Sequence, residues 1–526
     1  MSGQDRVRRQ NTRFPNRNSA FARFVGTTND VSLLPIVASA LLVPVFFYFW
    51  WKAQYRYALF AVLLLGMLLR TFMVGDRSLH TWDERFHANV AKHIWAHPGT
   101  PTLYNDPVLP YNYHDWSSNH VWLSKPALPF WVMGASIEAF GNNEIGLRLP
   151  GVLLSLLSVW LTYRIGRRLC GERIAVLAAF LHAVHGLTLE SAGGLVSSDH
   201  VDTVFTTCCY TAIYLTLTHL SLPPRGGKDR RSDPGGQPYL IGAMIGLAFL
   251  SKWIAAFLLG PIVLGFYAIA SGGWQRFGRD VIPIAATALA VALPWPIYLW
   301  VQHPVEARYI AEQLLFPVGA AIQGHGGGPL YYLNEIRIVF GELIYLPLGW
   351  LLYRGIYQRD QVIRVLLVWL FPLLLLSFAG TKRSTYLLLF APAFFLLTAV
   401  FIDFLRQAEN WPRLPAWLRS GLVLLLIALP LRYSVERIKP LRPRFVLPPW
   451  RVEMARFAEG LELSPDQILL YDEPRAFDAM FFYGITAYPY TPDTAALNAA
   501  HRRGYHIYRN TGGRYERRHF AHGKNH

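Results

Sequence analysis

Hydrophobic residues in this chain gather in long runs separated by short polar loops. Apolar stretches lie near 31–51, 55–74, 147–166, 173–190, 200–220, 239–251, 252–270, 281–301, 330–353, 362–380, 386–405 and 420–435. Runs of roughly 17–25 apolar residues match the hydrocarbon thickness of a bilayer. Their repetition predicts a mainly α fold, a polytopic helical membrane bundle of about 11–13 spans with interfacial helices. The pattern changes after about residue 436. PWRVEMARFAEGLEL, AFDAMFFYG and DTAALNAAHRRG carry helical spacing, whereas QILLYD, YHIYRN and RYERRHF read as strands. This alternation predicts a small C-terminal α/β domain. The chain thus divides into a tail over 1–30, a membrane domain over 31–435 with a large loop at 75–146, and a soluble domain over 436–526.

Composition agrees: 53% of residues are hydrophobic and 16% charged, fewer charges than a soluble protein of this size carries. Arg and Lys cluster in alternate loops, among them RIGRRLCGER from Arg164, PPRGGKDRRSD from Pro223 and GGWQRFGRD from Gly272. The positive-inside rule makes these loops cytoplasmic. Loops 75–146, 191–199, 302–329 and 380–385, and everything after about 436, then share the outer face, periplasmic if the membrane is a bacterial inner membrane. No Asn-x-Ser/Thr sequon occurs, which favours that membrane over a eukaryotic lumen. The net charge of +17 is therefore a topology signal, and the partners it implies are membrane lipids rather than nucleic acid. The tail is an exception. If 31–51 spans, Arg6, Arg8, Arg9 and Arg13 lie outside, against the rule. Either that run is re-entrant or interfacial, or later spans overrule the tail. Cys170, Cys208 and Cys209 lack metal-ligand spacing and read as small buried residues.

The polar groups able to carry chemistry fall in loops assigned to one face. Asp83 and Glu84 open DERFHANVAKHIW, whose apolar positions Phe86, Val90 and Ile94 predict a helix across the bundle mouth. The two acids serve a helix N-terminus or act as acid and base. Tyr113 and Trp122 lie in an aromatic loop that suits a membrane-interface belt or a carbohydrate surface. Lys125 ends that loop, where a lysine either snorkels or holds a phosphate. Asp199, at the outer start of the next span, either caps that helix with Ser197 and Ser198 or serves the site, and Asp202 lies one turn deeper, where a carboxylate is expensive. His325 sits among Gly324, Gly326, Gly327 and Gly328. Lys382, Arg383 and Tyr386 break the positive-inside pattern, which favours phosphate binding over helix-end charge.

In order along the chain, these segments resemble the GT-C membrane glycosyltransferases of the protein O-mannosyltransferase and aminoarabinose-transferase superfamily. The resemblance covers roughly residues 55 to 405. It rests on WDERFHANVAKHIW, KPALPFWVMGASIEAFGNNEIGLRLPG, GRRLCGER, the small-residue loop ending in Asp199, FLSKW at Lys252 and KRSTYLL at Lys382. It implies an integral-membrane, inverting glycosyltransferase with a polyprenyl-phosphate sugar as donor, acting at the outer face. The acceptor is a glycolipid of lipid A type, another glycan or a protein. It implies Asp83 as general base with Glu84 and Asp199 as further acidic site residues. It places Lys125 and Tyr386 at the donor phosphate and His325 in an outer substrate loop; on their own chemistry Lys382 and Arg383 join the phosphate set, and Tyr113 and Trp122 the substrate loops. No cofactor is required. A divalent metal is possible only through His325, since Ser124 stands where these enzymes often place Glu, and Gly326 to Gly328 where they tend to place Arg. Two other classes compete on the residues alone. One is a lipid or sugar transporter using Asp202, Lys252, Glu335, Arg337 and Glu342; the other is a noncatalytic envelope-assembly subunit.

Overall fold

The computed structural model describes residues 33–115, 117–196, 199–222, 236–322, 324–407, 415–442, 444–461 and 463–520. Helices dominate from Leu34 to Ile438, and a four-stranded sheet with its helices follows. Among the described residues, seven helices are long and apolar enough to cross a membrane, or nine if two bent pairs each count as one span. Several apolar runs do not make single straight helices. The run at 173–190 bends by 58° between Ala183 and Gly186, and the run at 330–353 bends by 118° around Gly341, whose φ is +97°. The run at 362–380 breaks at Pro372.

Helices Leu34–Trp51 and Tyr55–Val74 form a hairpin through a short turn at Ala53. Its closed end packs on segments read as cytoplasmic. The Trp50 indole donates to the Arg173 carbonyl at 2.9 Å, and the Arg406 guanidinium lies 4.5 Å from the Trp50 ring centre. Leu34 therefore lies at the same end of the bundle as Asp83. The arginine-rich tail before it is outside the described residues.

Helices Gln237–Lys252 and Gly273–Ala292 pack side by side and run in the same direction. A Cβ on Gly242 would meet Ile284, and one on Gly246 would meet Ala288 and Val291. The segment between them, Trp253–Leu258 followed by Leu259–Ile269, must then return to the first side. The reversal falls at Trp253, which has φ +45°. Lys252 is thus at the tip of a helical turn, at the Asp83 end.

The C-terminal sheet has the order β2-β1-β3-β4, with β1 Ile468–Tyr471, β2 Thr486–Ala487, β3 His506–Thr511 and β4 Arg514–Arg517. β1 pairs in parallel with β2 and β3, each crossover carrying a helix, and β3–β4 is an antiparallel hairpin. Both glycines of its turn have positive φ (Gly512 61°, Gly513 93°), as a two-residue hairpin requires. β2 is only two residues long and carries no period for sequence to report.

The spacing at Phe86, Val90 and Ile94 predicts an interfacial helix. The structure instead sandwiches Asp83–His93 between the bundle and the sheet domain. Asn89 donates to the Phe477 carbonyl at 2.9 Å, and the Lys92 ammonium to Met480 at 2.6 Å and Phe481 at 3.1 Å. Phe86 packs 4.5 Å from the Phe477 ring. Loop 79–123 and the sheet domain share one hydrophobic core, so the domain is built onto the bundle rather than tethered to it.

One buried acid in this seam makes docking pH-dependent. Burial pushes the Asp478 carboxyl up to about 6, against the pull of Arg85, 3.5 Å away, and Arg475. Its folded pKa exceeds the unfolded value, so the folded state holds the proton more tightly from about pH 4 to 6. Stability falls as pH rises through that window and levels off above it, by about 2–3 kcal/mol for a shift of this size. The hydrogen-exchange protection factor across 476–483, which divides out the pH dependence of intrinsic exchange, should be larger at pH 5 than at pH 8, and Asp478→Asn should flatten that difference. An unchanged pH response in the variant would remove Asp478 as its origin.

Candidate active site

The site is anchored by a buried ion network. Glu84 is 1% exposed and Arg148 is fully buried. Arg148 Nε meets Glu84 Oε1 at 2.7 Å and Nη2 meets Oε2 at 2.9 Å, a bidentate fork. The same guanidinium donates to the carbonyls of Val74, Asp76 and Ser78. His80 adds a backbone donor to Glu84 Oε2 at 2.7 Å, its ring Nδ1 lies 2.8 Å from that oxygen, and His200 Nε2 lies 3.3 Å from Oε1. Burial pushes the Glu84 carboxyl up, but Arg148, His80 and His200 together hold it well below the usual range. Gly194, at φ +72°, closes the cage: a Cβ there would stand 2.5 Å from Glu84 Oε1. Glu84 is thus committed to holding the helix that begins at Asp83, a positioning task rather than the acid–base one read from sequence.

Asp83 faces elsewhere. Its carboxylate lies 3.7 Å from the Lys125 ammonium, with the two side chains 31% and 25% exposed. Trp122, buried to 2%, stacks on Phe86 at 5.0 Å and fixes the strand of loop that carries Lys125. The expected substrate-facing role for Trp122 gives way to that of a wall. Tyr113 packs against His114 at 4.1 Å and Tyr309 at 5.5 Å, in an aromatic group with Tyr111.

Below this rim, Tyr386 feels the charges of Arg383, Asp202 and Lys125. The Lys252 ammonium lies 5.1 Å from the Tyr386 ring centre and pairs with Asp202. Arg383 remains beside the site, but Lys382 does not. Lys382 is 5% exposed, and its ammonium is spent on the carbonyls of Gly327 and Ala379. Its backbone N–H donates to His325, also at the glycine loop. Lys382 therefore ties two loops together instead of meeting a phosphate. Asp199 begins the helix Asp199–His219, and its side chain lies outside the described residues, as do Trp116, Ser197 and Ser198.

On the far side of Asp83 a cavity of about 400 Å³ opens between bundle and sheet domain. Asp83, Glu84, His80, Gly194, Arg442 and Arg475 help line it. Among the described residues no three His, Cys, Asp or Glu side chains are grouped to hold a metal ion. Burial and the charge of Arg383 both lower the pKa of His325.

Sequence reading missed Arg148, His80 and His200 as parts of the site. Arg148 left a signal: a guanidinium inside an apolar helix needs a partner. His80 and His200 left none, since only the fold brings them to Glu84.

The family described as dolichyl-phosphate-mannose-protein mannosyltransferase matches residues 124–300. An undecaprenyl phosphate-alpha-4-amino-4-deoxy-L-arabinose arabinosyl transferase of Pseudomonas paraeruginosa is 29% identical over 359 residues, covering 63% of this chain and 61% of that protein. A second transferase of the same description, from Pseudomonas fluorescens, is 25% identical over 73% of this chain and 66% of its own length. The match thus spans less than two thirds of these relatives. Among solved structures, ArnT from Cupriavidus metallidurans bound to undecaprenyl phosphate aligns with TM-score 0.59 at 16% identity, over 87% of this chain and 89% of that one. Sequence relatives and fold point the same way: the chain resembles the GT-C transferases of the protein O-mannosyltransferase and aminoarabinose-transferase superfamily.

Proposed function

We propose that this protein is an inverting, polyprenyl-phosphate-dependent glycosyltransferase acting at the outer face of a bacterial inner membrane. The observation that carries the reading is the Asp83 carboxylate set 3.7 Å from Lys125 at the mouth of the bundle. The donor is a sugar on undecaprenyl phosphate, 4-amino-4-deoxy-L-arabinose by likeness to the relatives' names. The acceptor is a glycolipid of lipid A type, entering through the cavity that Asp83 lines.

The chemistry follows from charge. As the bond from sugar carbon to phosphate oxygen breaks, negative charge grows on the leaving phosphate. Lys125, Tyr386 and Arg383 stabilise that charge in a partly dehydrated cleft. The acceptor hydroxyl attacks from the opposite face and loses its proton to Asp83. Arg442 and Arg475, across the cavity, suit an acidic group on the acceptor. The transporter reading loses its support from a deep charge pair, because Lys252 sits at the tip of a helical turn beside Tyr386.

The test is transfer in liposomes holding undecaprenyl-phosphate sugar and envelope glycolipid, read by mass spectrometry. Lys125→Ala should weaken donor binding by about tenfold or more, the worth of one charge-assisted hydrogen bond. Absence of any transferred sugar with wild-type protein would sink the function. Unchanged donor affinity in the variant would sink the role of Lys125.

A further inference from the structure

We propose that Lys252 is a second phosphate-binding cation of the donor site, held against Tyr386 by Asp202; this rests on the donor class argued above. Four observations converge on it. Lys252 ends its helix, where the exposed carbonyls favour a cation. The next residue, Trp253, holds φ +45° and ψ −131°, a conformation a bulky side chain keeps only where the surrounding fold imposes it. That reversal fixes where the helix stops, and so where the lysine points.

The ammonium lies 5.1 Å from the Tyr386 ring centre and 6.0 Å from that of Phe205, which sets it against the phenol ring. Its single hydrogen bond among the described residues goes to Asp202 Oδ1. An ammonium has three donors, so two remain for further oxygens. The lysine side chain keeps 14% exposure, enough for one face of the ammonium to reach the cleft.

Asp202 is the counterpart. It is 1% exposed, and its Oδ2 has no hydrogen-bond partner among the described residues. A pair kept only for stability would be expected to satisfy both oxygens, since an unmet buried acceptor is costly. Here the carboxylate does one thing well: it holds the lysine in place beside Tyr386. A phosphate carries several acceptor oxygens, and Lys125 from the rim and Lys252 from below can take different ones. Asp202 acts through Lys252 and is a positioning residue.

The experiment measures binding of undecaprenyl phosphate, with neutral undecaprenol as control, to full-length protein in nanodiscs. Lys252→Met should weaken undecaprenyl phosphate binding by about tenfold and leave undecaprenol unchanged. Lys252→Arg should recover most of the affinity. Asp202→Asn should weaken binding on its own but add less than about twofold to Lys252→Met, because both changes remove the same cation. Binding by Lys252→Met equal to wild type overturns the proposal, as does full additivity for the role of Asp202. In wild-type protein, undecaprenyl phosphate should slow acetylation of Lys252 and undecaprenol should not. This readout decides the matter even if a variant fails to fold, and equal labelling overturns the proposal. Should wild-type protein bind both lipids alike, the donor class itself fails, a result distinct from failure of Lys252.

Discussion

Asp83→Asn is expected to lower transfer by about 10²–10⁴-fold, the usual contribution of a general base, without weakening donor binding. The two readouts separate because of where the side chain sits. Asp83 is the first residue of its helix and 31% exposed, so it contributes little packing. The amide keeps the size of the carboxylate and can still meet the acceptor, but it accepts no proton. Removing the negative charge also releases Lys125, 3.7 Å away, for the donor phosphate. Donor affinity should therefore hold or rise while turnover collapses. Lys125→Ala has the opposite signature, a loss in donor affinity. The check is single-turnover transfer beside equilibrium binding of undecaprenyl phosphate, with folding followed by thermal unfolding in detergent. A folded Asp83→Asn protein that transfers sugar at the wild-type rate would end the case for Asp83 as base.

Much of this site can be read from the chain because its parts lie where polarity is out of place. Asp83 follows a membrane-length run, Lys125 precedes another, and Tyr386 opens a third. Hydropathy alone locates such breaks. The strands and helices after residue 436 were equally legible, since a period of two or of 3.6 survives in short segments. Other features were not. Glu84 and Asp83 are adjacent and chemically alike, yet one is caged by Arg148 and the other faces a cleft. Sequence spacing puts successive residues of a helix about 100° apart but says nothing of what waits on each side. Lys382 looked like a phosphate ligand because it breaks the positive-inside pattern; the carbonyls of Gly327 and Ala379 that claim it belong to irregular loops, which carry no period. The bends inside apolar runs were hidden for a related reason: apolar length sets hydrophobicity, whereas Gly341 and Pro372 set where a run stops being one straight helix.

Arg148→Ala should destabilise the outer end of the bundle by about 3–5 kcal/mol, because it strands the Glu84 charge in a site with almost no water. The guanidinium makes five contacts at once: two to Glu84 and three to the carbonyls of Val74, Asp76 and Ser78. These carbonyls belong to the turn that leads from the membrane helix into Asp83. Without the fork, that turn loses the group that fixes its path. Lysine cannot replace it, since a point charge does not reach both carboxylate oxygens and three carbonyls. Pairing the loss with Glu84→Gln should return part of the stability, because the uncompensated charge is then gone. Activity should not return in step. The carbonyls would still lack their donor, and displacement of a base by about 1 Å costs about 10²-fold in rate. The double variant Glu84→Gln, Arg148→Met is thus expected to fold better than Arg148→Ala yet transfer sugar poorly. Thermal unfolding compared with transfer rate measures both. If Arg148→Ala unfolds at the wild-type temperature, the network does not hold the turn. If the double variant regains wild-type turnover, Glu84 and Arg148 do not place Asp83.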